Sequence, residues 1–157
     1  MEHATKKGFS FGLTSGIITT LGLMVGLNSS TNIANIVIGG ILVIAIADAL
    51  SDALGIHISE EAEASHTPKE IWTATLATFF SKLIVASSFI IPVLLFSLDT
   101  AIIVSIVWGL SLITIFSFYM AKQQGNKAWH VIFEHLLIAI IVIIITHNIG
   151  DWVGGFN

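Results

Sequence analysis

Cysteine and arginine are both absent from the 157 residues. Without cysteine there can be no disulfide, no thiolate metal site and no cysteine nucleophile. Without arginine the permanently cationic side chains are six lysines, and the net charge is −4. That leaves no basic patch for nucleic acid. Charge of either sign is scarce: 10% of the residues are Asp, Glu, Lys or Arg, against about 25% in a soluble domain. Such a chain cannot solvate a globular surface. It is instead 55% hydrophobic, which predicts an all-α protein with lipid as its solvent.

No charged residue occurs from Gly8 to Ala47, a run about twice the 20 residues that one membrane helix needs. The polar cluster Asn28-Ser29-Ser30-Thr31-Asn32 divides it. The segment Met1–Lys7 has the polarity of a signal-peptide n-region, but the apolar stretch behind it is too long for an h-region. Five transmembrane helices are predicted, at about 9–27, 33–57, 71–97, 101–121 and 128–150, within a single domain 1–157. An acidic loop of about 59–70 joins the second and third spans, and Pro92 is expected to kink the third near its far end. Short loops make successive helices antiparallel neighbours.

Lysine placement gives an orientation. Lys6 and Lys7, Lys69, and Lys122 and Lys127 fall in alternate connections, and the other loops have none. That asymmetry predicts a cytoplasmic N-terminus and an outer C-terminus. The sixth lysine, Lys82, lies within the third span. In the first span Gly12/Gly16 and Gly22/Gly26 are small-xxx-small pairs. They serve packing within the chain, a dimer seam or the wall of a pathway.

Charges inside a bilayer cost about 2.5–3.5 kcal/mol each on insertion scales, so the few present are candidates for function. Asp48 and Asp52 are four apart on the second span, on one face with Ser51 and Gly55. At 1.5 Å per residue they lie about 14 and 8 Å above His57. Paired carboxylates repel unless a cation binds, a proton is shared or a basic partner is near. That pattern suits a divalent-cation or proton site. The competing reading is a structural ion pair with Lys82, at nearly the depth of Asp48. If both aspartates are tied up by basic neighbours and no polar cavity reaches them, the transport reading fails while the membrane topology stands.

On the fifth span His130 and Glu134 share a face, with His135 adjacent; all three are metal-ligand or proton-relay types. His147 and Asp151 repeat the four-residue spacing near the outer interface, where polar groups cost little. The run His57 to His66 is read as a cytoplasmic continuation of the second helix. In it His57, Glu60 and Glu61 share a face, and Glu60, Glu61 and Glu63 form an acidic mouth. His130, Glu134 and His135 do not have the His-Glu-x-x-His spacing of a metalloprotease, and no serine nucleophile elbow is present. The chain is not expected to be an enzyme.

These residues resemble the vacuolar iron transporter family. Gly12-Leu-Thr-Ser-Gly-Ile-Ile-Thr-Thr-Leu-Gly-Leu-Met-Val-Gly26 is similar to its first-helix run Gly-x-Asn-Asp-Gly-Leu-x-Ser/Thr. Ala47-Asp-Ala-Leu-Ser-Asp-Ala-Leu-Gly55 resembles its second-helix run Ala-x-Ser-Met-Ala-x-Gly-Glu. Ala74 to Phe80 through Pro92, and Leu136 to Gly150 with Val153-Gly154, resemble its third and fifth helices. The resemblance implies a homodimer that moves iron(II) or similar ions out of the cytosol, commonly in exchange for protons, along a path between the protomers. The chain departs from the family at three points. The first-helix aspartate corresponds to Ser15. The second-helix methionine and glutamate correspond to Asp52 and Ile56. The cytoplasmic metal-binding domain shrinks to about 59–70. Exchanging a thioether for a carboxylate moves preference toward harder ions, which makes manganese(II), magnesium and calcium as plausible as iron(II).

The expected function is therefore a plasma-membrane divalent-cation transporter, with iron(II) or manganese(II) as substrate and no resident cofactor. Its expected partners are metal ions, protons, the bilayer and a second copy. Asp48 and Asp52 bind the ion, and Thr14, Ser15 and Ser51 line the path. Glu134 and His135 complete the site or relay protons, and Glu60, Glu61 and Glu63 form the mouth. The alternative is a non-transporting membrane subunit with a structural Asp–Lys82 pair.

Overall fold

The computed structural model describes residues 2–156, so the predicted domain ends Met1 and Asn157 lie outside it. Among these residues five helices are long and apolar enough to cross a membrane. They are α1 (Glu2–Thr31), α2 (Ala34–Glu61), α3 (Pro68–Leu95), α4 (Leu98–Gln124) and α5 (Ala128–Gly154). Their outer faces carry large apolar side chains such as Ile84, Leu95, Ile103 and Phe133, each more than 60% exposed. Water does not tolerate so continuous an apolar surface. The chain is a multi-pass membrane protein.

The helices are longer than their predicted spans, most of all α1, because helical hydrogen bonding continues past the apolar zone until something stops it; α3 stops short at its far end, at Leu95 against the predicted 97. Asn32, at φ 50°, makes the turn between α1 and α2, a backbone region that Asn tolerates better than most residues. α2 ends at Glu61 rather than continuing to His66. A capping box of Thr67 and Glu70, with Pro68 at the first helical position, then starts α3. The acidic loop is thus shorter than predicted, at 62–67. Gly125, at φ 70°, ends α4. The helix of α3 breaks at Phe89, between segments Pro68–Ser88 and Ile90–Leu95. Pro92 accounts for this: it has no N–H for the Ser88 carbonyl, and its ring crowds that carbonyl.

α1 is central and touches all four other helices, although it is the least apolar of the five. Its two glycine pairs serve packing within the chain. A Cβ at Gly12 would collide with the Thr78 carbonyl and the Ser81 hydroxyl of α3, and one at Gly16 would lie 2.5 Å from Val85. Gly22 and Gly26 face Val142 and Thr146 of α5. Toward the Asn32 end Ile17, Leu21 and Met24 join Val37, Ile41, Phe89 and Ile113 in the apolar core.

α2 contains a π-helical turn at Ile44–Asp48. Its buried residues Val37, Ile41, Ala45, Ala49 and Ala53 recur every four positions. In a 3.6-residue helix such a stripe drifts round by about 40° per step. The wider π turn takes up that drift and keeps the stripe against the bundle. Asp48 and Asp52 each stand one residue before a buried alanine, so the same turn aims both carboxylates at α3.

Candidate functional site

Three polar clusters surround the lysine-bearing half of α1. The deepest joins α1, α2 and α3. Lys82 is fully buried, and its Nζ lies 2.5 Å from both Asp48 Oδ2 and Asp52 Oδ2. It also donates to Ser15 Oγ at 3.0 Å, and Ser15 Oγ donates to Asp52 Oδ2 at 2.6 Å. The three N–H groups of the ammonium thus face three acceptors. The two aspartates are not held alike. Asp52 accepts aligned hydrogen bonds from Lys82 and Ser15. Asp48 is held by charge: its Oδ2 is within ion-pair distance but without hydrogen-bond alignment. The Asp48 side chain is 35% exposed and that of Asp52 20%.

Lys82 is therefore the partner of Asp48, and the same nitrogen serves Asp52 as well. One ammonium can offset only one ionised carboxylate, so the cluster holds one acid group more than its lysine can balance. Neither the larger cavity between α1, α4 and α5 nor the groove between α1 and α5 is lined by these aspartates. Their exposed parts lie on the outer side of α2, beside exposed Ala47, Ser51 and Gly55. Ser51, expected to line a path, lies on that outer surface, and a Cβ on Gly55 would meet nothing.

The second cluster caps α2 at the lysine-bearing end. Glu60 is buried to 1% exposure and pairs with Lys7. Lys7 also reaches Glu63 at 3.3 Å. His66 turns Nδ1 to Glu60 at 3.2 Å and Nε2 to Glu63 at 3.3 Å. Glu60, Glu63 and His66 bring three ligand atoms within 4.8 Å of one another, the only such trio among the described residues. Glu61 does not belong to it. The helix turns Glu60 inward and leaves Glu61 exposed. His57 is also elsewhere, bonded to Thr75 at 2.9 Å and edge-on to Trp72. His66 and Lys7 were not singled out in the sequence. The i, i+3 spacing of Glu63 and His66 was a local signal; nothing in the sequence announced Lys7.

The third cluster is a cavity of about 810 Å³ between α1, α4 and α5, also at the lysine-bearing end. Thr14, Glu134 and His135 line it together with His3, Lys6 and Met120. His135 Nδ1 bonds Ser117 Oγ at 2.7 Å. Thr14 and Ser15 are adjacent, yet Thr14 faces this cavity while Ser15 faces Asp52. Within one chain, Glu134 and His135 thus do not complete the aspartate site. His130 is exposed and stacks on Trp129 with ring centroids 3.5 Å apart. At the opposite end His147 Nε2 lies 3.5 Å from Asp151, both more than half exposed, and its Nδ1 meets Ser29.

In sequence comparison the chain matches no protein-family model and no curated protein.

Proposed function

We propose that the protein is a divalent-cation transporter of the plasma membrane, of the iron(II) or manganese(II) type, working as a homodimer in exchange for protons. One observation carries this: two carboxylates share one ammonium inside the bilayer. The surplus charge has to be met by a proton or a further cation, because hydrocarbon penalises it otherwise. Asp48, the less firmly held and more exposed carboxylate, is the group that exchanges one for the other. A cation reaches it from the Glu60–Glu63–His66 mouth, which opens toward the cytoplasm in the orientation that the lysines favour.

The second copy is part of this reading. The outer side of α2 would otherwise leave Asp48 and Ser51 facing lipid. A two-fold contact along α2 brings two such clusters together, and their combined surplus of two negative charges matches one divalent ion. Carboxylate and hydroxyl oxygens suit iron(II) and manganese(II) and admit harder ions. The resemblance to the vacuolar iron transporter family implies the same activity. The proposal rests on the charge arrangement, since no family model matches.

Manganese(II) uptake into proteoliposomes tests it. The protein is expected to carry the ion, and Asp48→Asn/Asp52→Asn to abolish the flux; equal flux in both rules the site out. A second reading has an observation of its own. Lys82 is fully buried among three acceptors, and both aspartates are tied to it. With neither cavity lined by the aspartates, this is the arrangement that opposes transport, except that a single lysine serves both acids, and it favours a non-transporting subunit in which the cluster is structural. That reading prevails if removing Asp48 and Lys82 together yields a folded dimer that is more stable and keeps its function.

A further inference from the structure

The cavity between α1, α4 and α5 lies on the side of α1 away from the aspartates, so its Thr14, Glu134 and His135 do not reach them within one chain. Its volume of about 810 Å³ falls within the usual range for small-molecule sites, roughly 300–1,000 Å³. Its lining is divided. Lys6 and the amides of Gln123, Gln124 and Asn126 gather toward the ends of α1 and α4. Phe11, Phe116, Met120 and Val131 supply apolar wall, and Phe116 is held edge-on by Phe9 at 6.2 Å. Glu134 adds one carboxylate. Ser10 and Thr14 turn their hydroxyls onto Met120 and onto backbone.

The lining decides between ligand classes. A bare metal ion has no trio of ligand atoms here, since the only close His/Asp/Glu trio among the described residues is Glu60, Glu63 and His66. Inorganic phosphate would be repelled by Glu134 and would gain nothing from the two phenylalanines. A ligand with an anionic phosphate, a neighbouring hydroxyl or ammonium and an apolar body matches the lysine and amides, the carboxylate and the rings together; His3, Lys7 and His135 make up the rest of the wall. Lysine and amide N–H groups take the phosphate, the carboxylate takes the hydroxyl or ammonium, and the rings take the carbon skeleton. The cavity also lies at the depth where phospholipids carry those groups. The exposed Trp72 and Trp129 mark the membrane boundary at the same end of the bundle, and lysines there attract anionic lipid.

We infer that this cavity binds the phosphate-ester headgroup of a membrane phospholipid. The inference does not depend on transport. The test is native mass spectrometry of the purified, delipidated protein titrated with phosphatidylglycerol, or with diacylglycerol of the same chains. One phosphatidylglycerol per chain is expected, held at least about tenfold more tightly than diacylglycerol. Lys6→Gln should weaken binding by about the same factor, and Phe116→Trp, which fills the cavity, should abolish it. Lys127→Gln, outside the cavity, should leave binding unchanged. Helical circular dichroism and a single gel-filtration peak certify that each variant is folded. Displacement by glycerol phosphate would identify a soluble phosphate ester as the source of the same chemistry, and no displacement would identify the membrane. Diacylglycerol binding as tightly as phosphatidylglycerol would overturn the inference. So would wild-type affinity in folded Lys6→Gln and Phe116→Trp.

Discussion

Two lysine clamps sit on the same helix and share one plan. Near the middle of α2, Lys82 from α3 bridges Asp48 and Asp52; at its end, Lys7 from α1 bridges Glu60 and Glu63. Their surroundings differ. Lys82 is wholly buried, whereas the Lys7 side chain is 36% exposed. Beside Lys7 stands His66, which can add a second positive charge by taking a proton. Among the described residues no second basic group forms an ion pair with Asp48 or Asp52. The terminal clamp can therefore balance its charge by itself, while the deep one needs a proton, a metal ion or a partner. Two acids about one helical turn apart, four residues at Asp48/Asp52 and three at Glu60/Glu63, thus make a charged centre in one place and a near-neutral cap in the other. The dielectric surroundings, more than the motif, set the difference.

The comparison can be broken at its strongest point first. Lys82→Met leaves two carboxylates without a counter-charge in the membrane and is expected to cost about 3–5 kcal/mol. Denaturant unfolding in detergent measures it, and adding Asp48→Asn/Asp52→Asn should restore most of the loss. A cost below that of Lys7→Gln would erase the distinction between the clamps.

Next in size is Gly12→Val. It wedges α1 from α3 and pulls Ser15 away from Lys82, at a cost of about 1–3 kcal/mol for overpacking. The melting temperature of the purified protein reports it.

The two aspartates should then separate. Asp52→Asn removes an aligned charged partner and is expected to destabilise by about 1–3 kcal/mol. Asp48→Asn relieves surplus charge and should leave stability unchanged or raised. Equal losses in both would mean that the asymmetry in hydrogen bonding carries no energetic weight.

The smallest effect is that of Lys7→Gln. Lys7 is partly exposed, and His66 stays beside buried Glu60 to take over as its partner, so the loss should be under about 1 kcal/mol and the melting temperature should hardly move. Manganese(II) bound at Glu60, Glu63 and His66, read by its paramagnetic resonance signal, should tighten because a tethered competitor is gone. Weaker binding in this variant would show that Lys7 assembles the mouth instead of blocking it.

Much of the architecture was legible because membrane helices obey a one-dimensional rule. Length and apolarity placed five spans, Asn28–Asn32 marked the first turn, and Pro92 announced the break that appears at Phe89. The candidate site was legible only in part. The depth count brought Lys82 level with Asp48, but it gave no sign that one nitrogen would serve both aspartates. The i, i+4 rule grouped Glu60 with Glu61 and His57. The fold turned Glu60 inward to Lys7 and His66 instead. Glu134 and His135, expected to complete the aspartate site or relay protons, instead line a cavity on the far side of α1 from the aspartates.

The sequence by itself determined where the chain crosses lipid and which charges lie inside, since hydropathy and lysine placement act locally along a helix. Only the tertiary structure decided which charges meet. That depends on how far each helix is rotated about its axis. Here the π turn at Ile44–Asp48 and the close approach of Gly12 to α3 set that rotation. Both arise from packing between helices distant in sequence, which no single-helix pattern encodes.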